Sequence, residues 1–214
     1  DPLAACEIAF VTKNNDEVTK FIHQTQSSIK FGPMWVIGSD KVGSFGATIC
    51  VNEPEAVQAL ASLSDEAKSF IREIAFVSRE DEKMFAEIEA NFSHLSFPFL
   101  TSLEIRGRKG VGKLTTQFAT LLAERSPNLQ RFVVSADGPW DGVMKVLPHL
   151  PFLQTLEIFG DIEIDPDALS DALAQTHLQR IMLFGVDINK NLANVLGNMV
   201  NLKSLSFYGT AFLF

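Results

Sequence analysis

The chain has 214 residues, with 18 Lys and Arg against 26 Asp and Glu and a formal net charge of −8. Hydrophobic residues make up 46% and charged residues 21%, a balance that predicts a folded protein with a sizeable core and excludes extended disorder. The acidic balance argues against a general nucleic-acid binder or a binder of anionic membranes, and no apolar run reaches the roughly 18–20 residues of a membrane span.

The first 95 residues contain three imperfect copies of one apolar pattern. In this pattern, two variable positions follow an apolar residue, and one variable position separates the next two apolar residues. The copies lie at Ala5/Ile8/Phe10, Phe31/Met34/Val36 and Ile71/Ile74/Phe76. The step of 40 residues between the second and third copies predicts an insertion near residues 39–52, and residues 55–70 have the apolar spacing of a helix.

Residues 96–214 repeat the same pattern five times, at steps of 29, 24, 25 and 24 residues. The apolar positions are Leu100/Leu103/Ile105, Leu129/Phe132/Val134, Leu153/Leu156/Ile158, Leu178/Ile181/Leu183 and Leu202/Leu205/Phe207. A small residue follows two positions after each copy, at Gly107, Ala136, Gly160, Gly185 and Gly209. Helical spacing over 114–125 and 191–196, and a helix start at Asp165-Pro166, predict units made of a strand, a turn and a helix.

These units resemble the leucine-rich repeat, in particular the ribonuclease-inhibitor-like kind with a full helix in each unit. The resemblance implies an α/β fold: a right-handed βα solenoid with parallel strands on the concave face and helices on the convex face. It covers 96–214 as regular repeats and 1–95 as degenerate ones, in one continuous solenoid that we interpret as a fragment of a longer chain. Only two cysteines occur, and together with the intracellular families of this kind they favour a cytoplasmic location.

The variable strand positions predict where a partner binds. Side chains alternate along a strand, so these positions share the face opposite the core, where Phe159, Phe184 and Tyr208 should form one contiguous aromatic ridge. Aromatic residues and arginine are frequent anchors of protein interfaces. We therefore predict recognition of a protein partner, with Met182 as a further anchor and with Arg131 and Arg180 setting its orientation. The complete set of candidate residues is Phe159, Phe184, Tyr208, Met182, Arg131, Arg180, Glu157 and Arg106.

Two alternatives to partner binding on this face stay open. The three rings could instead fold against the loop above the strands and fill space there. The segment could also be a scaffolding or autoregulatory part that packs on other domains of its own chain.

A further alternative is nucleotide binding at residues 107–113, where Gly107, Gly112 and Lys113 nearly match the phosphate-binding sequence GxxxxGK[ST]. The hydroxyl that should follow the lysine and bind Mg²⁺ is replaced by Leu114. Because both flanking strands are explained by the repeat, we favour a solvent-exposed basic loop, with binding of an acidic partner surface by its basic residues as the alternative.

No motif points to catalysis, a metal ion, a cofactor or a small-molecule substrate, so we interpret the protein as a non-enzyme. The acids Asp161, Glu163, Asp165 and Asp167 alternate as in a calcium loop. A calcium loop of the EF-hand kind needs glycine and a carboxylate where this sequence has Pro166 and Ala172. Acids at the start of a helix explain these residues more simply.

Overall fold

The computed structural model describes residues 47–51, 54–61, 65–69, 71–77, 88, 90–91, 94–106, 121–122, 124–135, 141–159, 164–208 and 212–213. The strands are β1 (Ala47–Val51), β2 (Ile71–Val77), β3 (Ser102–Arg106), β4 (Arg131–Ser135), β5 (Thr155–Phe159), β6 (Arg180–Phe184), β7 (Ile188–Asn189), β8 (Ser204–Tyr208) and β9 (Phe212–Leu213). The helices are α1 (Pro54–Ala61), α2 (Asp65–Ser69), α3 (Asp141–Val146, continued by a 3-10 turn at Leu147–His149), α4 (Pro166–Leu173) and α5 (Lys190–Asn198).

Seven strands form one parallel sheet in the order β1-β2-β3-β4-β5-β6-β8, while β7 and β9 form a separate parallel pair. Each strand therefore lies beside the strands that precede and follow it in the main sheet. Because neighbouring strands are parallel, the chain must return after each strand to the end of the sheet at which the strands begin. Helices lie in several of these crossover connections. The chain is an α/β protein, as the sequence predicts.

The pairing register follows the predicted repeat. Leu103, Phe132, Leu156, Ile181 and Leu205, the middle apolar residues of the five copies, are direct partners in successive strands. In β5, Leu156 and Ile158 are buried whereas the residues between and beside them are only half-buried. The alternation places the core on one side of the sheet.

The strands of the second half also begin in the same way. The backbone N–H groups of Gln154 and Thr155 both donate to the Gln130 carbonyl, at 2.8 and 2.9 Å. The same paired contact joins residues 179–180 to the Gln154 carbonyl and residues 203–204 to the Gln179 carbonyl. The sequence repeat is thus a repeat of backbone hydrogen bonding as well.

Helix α4 begins where the sequence predicts. The side chain of Asp165 accepts a hydrogen bond from the Asp167 N–H at 3.0 Å, and Pro166 occupies the first turn, where a missing N–H costs nothing. Leu169 and Leu173 of this helix are both buried in the core. Helix α5 is capped in the same manner, since the Asn189 side chain accepts from the Leu192 N–H at 2.8 Å.

Strand β1 lies within residues 39–52, where the sequence predicts an insertion, so part of this segment is a strand of the sheet. Ile49 pairs with Ile74 and Val51 pairs with Phe76, an offset of 25 residues that matches the later repeats. The pattern is hard to recognise here because Gly46 stands where its first apolar residue would fall. The predicted copies at residues 5–10 and 31–36 lie outside the described residues.

At Gly185, the backbone conformation explains why a small residue follows the strand. This glycine has a φ of 67°, in the left-handed region that residues with a Cβ avoid, and its N–H donates to the Tyr208 carbonyl at 2.9 Å. The other four small positions lie outside the described residues. The described helices include none that is long and apolar enough to cross a bilayer.

Candidate functional site

The face of the sheet opposite the core, called the open face here, presents three rows of side chains on β3–β6 and β8. The first row is Ser102, Arg131, Thr155, Arg180 and Ser204; the second is Glu104, Val133, Glu157, Met182 and Ser206; the third is Arg106, Ser135, Phe159, Phe184 and Tyr208. Every residue predicted to bind a partner lies in one of these rows.

The charged half of the open face, on β3–β5, is built around Arg131. Its Nε and Nη2 atoms each lie 3.2 Å from Oε1 of Glu157, Nη2 also lies 3.2 Å from Oε2, and Nη1 lies 3.6 Å from Oε2 of Glu104. Glu104 forms a second ion pair with Arg106. Two carboxylates and two guanidinium groups therefore neutralise one another.

The charged half also contains a buried apolar side chain. Glu104, Val133 and Glu157 are register partners on three adjacent strands. Arg131 and Val133 both belong to β4, and the ion pairs of Arg131 link a carboxylate on β3 with one on β5. Val133 is 0% exposed although it belongs to the open face. Arg131, which the sequence predicts to orient a partner, is instead paired within the chain with carboxylates two positions further along the flanking strands.

The aromatic half of the open face, on β5, β6 and β8, carries the predicted ridge. The ring centroids of Phe159 and Phe184 lie 5.4 Å apart with an interplanar angle of 38°, and those of Phe184 and Tyr208 lie 4.7 Å apart and are stacked at 16°. These spacings are within the range of favourable aromatic pairs. We call Phe159, Phe184 and Tyr208 the aromatic ladder.

The aromatic ladder is contiguous but it is not covered. Phe184 and Tyr208 are register partners at the ends of their strands, and Phe159 holds the same position in β5. Phe184 remains 38% exposed and Tyr208 49% exposed, while Phe159 is half-buried. The alternative in which a loop covers all three rings therefore does not describe Phe184 and Tyr208.

Arg180 lies in the same row as Arg131 but has different surroundings. Its side chain is exposed, its register partners are Thr155 and Ser204, and no described carboxylate lies within 4.0 Å of it. Met182, the next open-face residue of β6, is half-buried between its partners on β5 and β8.

The acids at the start of α4 have a structural role. Asp167 accepts hydrogen bonds through Oδ1 from Asn189 Nδ2 at 2.9 Å and Asn191 Nδ2 at 3.1 Å, and these bonds, that from Asn189 first, lower its pKa. Asp161 and Glu163 lie outside the described residues, as does the glycine-rich segment 107–113. Within the described ranges, no group of three or more His, Cys, Asp and Glu side chains is placed to hold a metal ion.

One concave feature lies elsewhere. A groove of about 380 Å³ lies against the last residues of α4 and α5, with Leu173, His177, Val195, Met199 and Val200 among its lining residues. No periodic signal in the sequence predicts it, because turn residues supply much of its lining.

A scan against models of known protein families gives no match for this chain, and a search of curated proteins finds no significant similarity.

Proposed function

We propose that this chain is a protein-recognition module that binds a protein partner on the open face of its sheet, with the aromatic ladder as the main contact. The observation that carries the proposal is the run of three touching rings, two of which stay open to solvent. Exposed apolar patches are unusual on monomeric proteins, and aromatic side chains contribute a large share of binding energy at interfaces.

We further propose that the architecture is a leucine-rich-repeat solenoid of the right-handed βα kind, with the open face concave and the helices convex. Three features support this: the strand order follows the chain order, the pattern recurs at 24–29 residues from β2 onward, and the second-half strands start with the same paired hydrogen bond. Stacked units of this kind create extended surfaces suited to protein partners.

The rigidity of the open face also favours binding. The ladder side chains belong to strands held by neighbours on both sides, except for Tyr208 on the last strand. Aromatic side chains have few rotatable bonds and the rings already pack on one another, so a partner gains contact area at a small cost in side-chain entropy.

The proposal is tested by selecting binders from a random-peptide display library on the wild-type protein. The selected peptides are then measured against the triple variant Phe159→Ala, Phe184→Ala and Tyr208→Ala. We expect affinity to fall by about 100-fold, because three contact rings are lost at the centre of the interface.

A matched control is Phe152→Ala, which removes an exposed phenylalanine from the turn before β5, at the end of this strand opposite Phe159. It should leave binding unchanged. Thermal unfolding of the triple variant shows whether the fold is kept. Selected peptides that bind the folded triple variant as tightly as the wild type would exclude the aromatic ladder as the contact.

The second candidate, a scaffolding segment that packs on other domains, is favoured by a different surface. At the β8 end of the sheet, Leu205 is 39% exposed although its equivalents in β3–β6 are buried, and Val200 in the preceding turn is also exposed. If this end is the functional surface, Leu205→Glu should abolish self-association of the isolated chain in analytical ultracentrifugation. Loss of peptide binding would instead require the ladder substitutions.

A further inference from the structure

Two arginines occupy the same row of the open face in opposite electrostatic situations. Arg131 has a carboxylate on each flanking strand, at Glu104 and Glu157. The corresponding flanking positions of Arg180 are Glu157, whose two oxygens both contact Arg131, and Ser206, which has no charge. Arg180 therefore has the position of a paired arginine without its own counter-ion among the described residues.

A second exposed cation lies beside this end of the face. Lys203 lies next to Ser204, the register partner of Arg180, and its Nζ donates to Gln179 Oε1 at 3.0 Å. This bond is to a neutral amide, so it leaves the lysine charge uncompensated. The strand starts of β6 and β8 thus carry two exposed positive charges, while their ends carry aromatic rings.

We propose that the partner contributes an acidic peptide segment, in which an Asp or Glu side chain pairs with Arg180 while an apolar side chain packs on the aromatic ladder. This inference rests on the proposed function and specifies the chemistry of the partner. The carboxylate takes the place at Arg180 that Glu104 and Glu157 take at Arg131.

The spacing of the two contacts defines the segment. Arg180 and Phe184 are four residues apart on one strand, which corresponds to about 13 Å along the sheet. An extended segment covers that distance in about four residues, and a helix covers it in about two and a half turns. The partner therefore carries its carboxylate and its apolar anchor about 13 Å apart on one side of the segment.

Desolvation makes the charge of the partner important. A partner lying on Phe184 and Met182 also removes water from Arg180, and an arginine that loses water without gaining a counter-ion carries a free-energy cost. A basic segment would be repelled by Arg180. The net charge of −8 does not reverse this preference, because charges beyond about 8 Å are largely screened at physiological salt.

The experiment repeats the library selection with wild-type protein and with Arg180→Glu. We expect wild-type binders to be enriched in Asp and Glu together with apolar residues, and the charge-reversed variant to select Lys and Arg in their place. Individual wild-type peptides should bind Arg180→Glu about tenfold more weakly, with a loss that shrinks as salt is added. Arg180→Gln should remove the acidic preference without creating a basic one.

The matched control is Lys190→Glu, which makes the same change of charge at the first residue of α5, where an acid suits the helix start. It should select the same peptides as the wild type. Peptides that need the aromatic ladder but contain no acids and ignore Arg180→Glu would overturn this inference and leave the proposed function standing. Equal losses in Lys190→Glu would also overturn it, since net charge and not Arg180 would then be responsible. Peptides that ignore the ladder would overturn the proposed function itself.

Discussion

The charged half of the open face, on β3–β5, pairs its side chains internally, whereas the aromatic half, on β5, β6 and β8, leaves its rings open to solvent. In the charged half, Arg131 forms ion pairs with Glu104 and Glu157 on the two flanking strands, and Val133 on the same strand as Arg131 is buried. In the aromatic half, the rings contact one another while Phe184 and Tyr208 stay exposed. The two halves lie on one continuous sheet and share one register.

This difference separates stability from recognition. A charge network whose members are already paired would lose those interactions if a partner claimed one of them, and buried carboxylates are costly to leave unpaired. Exposed rings lose only contact with water when a partner covers them, which is favourable. We therefore expect substitutions in the charged half to change mainly the free energy of unfolding, and substitutions in the aromatic half to change mainly binding.

The largest expected effect compares equivalent core positions beneath the strand shared by the two halves and beneath the edge strand of the aromatic half. Leu156 in β5 is 0% exposed and Leu205 in β8 is 39% exposed. Leu156→Ala should lower the free energy of unfolding by about 3 kcal/mol, and Leu205→Ala by about 1 kcal/mol, because less apolar surface and a smaller cavity are involved at the sheet edge. Urea unfolding measures both values. Equal losses would show that β8 is as well buried in solution as β5.

Arg131→Ala should have the next largest effect. It leaves the carboxylates of Glu104 and Glu157 without their shared cation, and their side chains are only 16% and 14% exposed. We expect a loss of about 2 kcal/mol in the free energy of unfolding, below the value for a fully buried pair because Arg131 itself is partly exposed.

A control distinguishes charge from lost packing at Arg131. Adding Glu157→Gln to Arg131→Ala removes the carboxylate left unpaired, since Glu104 keeps its ion pair with Arg106, and should restore part of the stability. Phe184→Ala, in the other half, should change the free energy of unfolding by less than Arg131→Ala does. The reverse order of these two losses would contradict the division of the open face.

The smallest expected effect concerns the hydrogen bonds that Asp167, near the start of α4, accepts from Asn189 and Asn191. Hydrogen bonds from Asn189 and Asn191 lower the pKa of Asp167, so the carboxylate contributes stability above the ordinary aspartate pKa of about 3.9, and this contribution is lost as the pH falls through the lowered value. Wild type should therefore melt slightly above Asp167→Ala at neutral pH, and the difference should vanish in strong acid. A difference in melting temperature that persists there would point to packing instead of charge.

The repeat was predictable because it rests on short-range order. Apolar positions such as Leu156 and Ile158 recur at a fixed spacing, and strand pairing then fixes which side chains share a face. The same logic placed Phe184 beside Tyr208, and the structure confirms that contact. Helix α4 was predictable from Asp165 and Pro166 for an equally local reason.

The features that escaped prediction depend on contacts between strands or on irregular copies. The pairing of Arg131 with Glu104 and Glu157 requires side chains of three strands to reach one another, which periodicity alone does not reveal. Strand β1 was missed because a glycine interrupts its pattern at Gly46. The exposure of Leu205 depends on which strands neighbour β8, and the residue itself resembles every other core leucine.

The most direct test of the central claim is to record the methyl resonances of the methionines by NMR while a selected peptide is added. Met182 lies in the middle of the aromatic half, Met144 is buried in α3, and Met199 lines the groove beside α4 and α5. Methionine-to-leucine variants assign the three signals. We expect the Met182 resonance to shift with peptide concentration while those of Met144 and Met199 stay unchanged. A shift of Met199 with no change at Met182 would contradict it and would place the binding site in the groove.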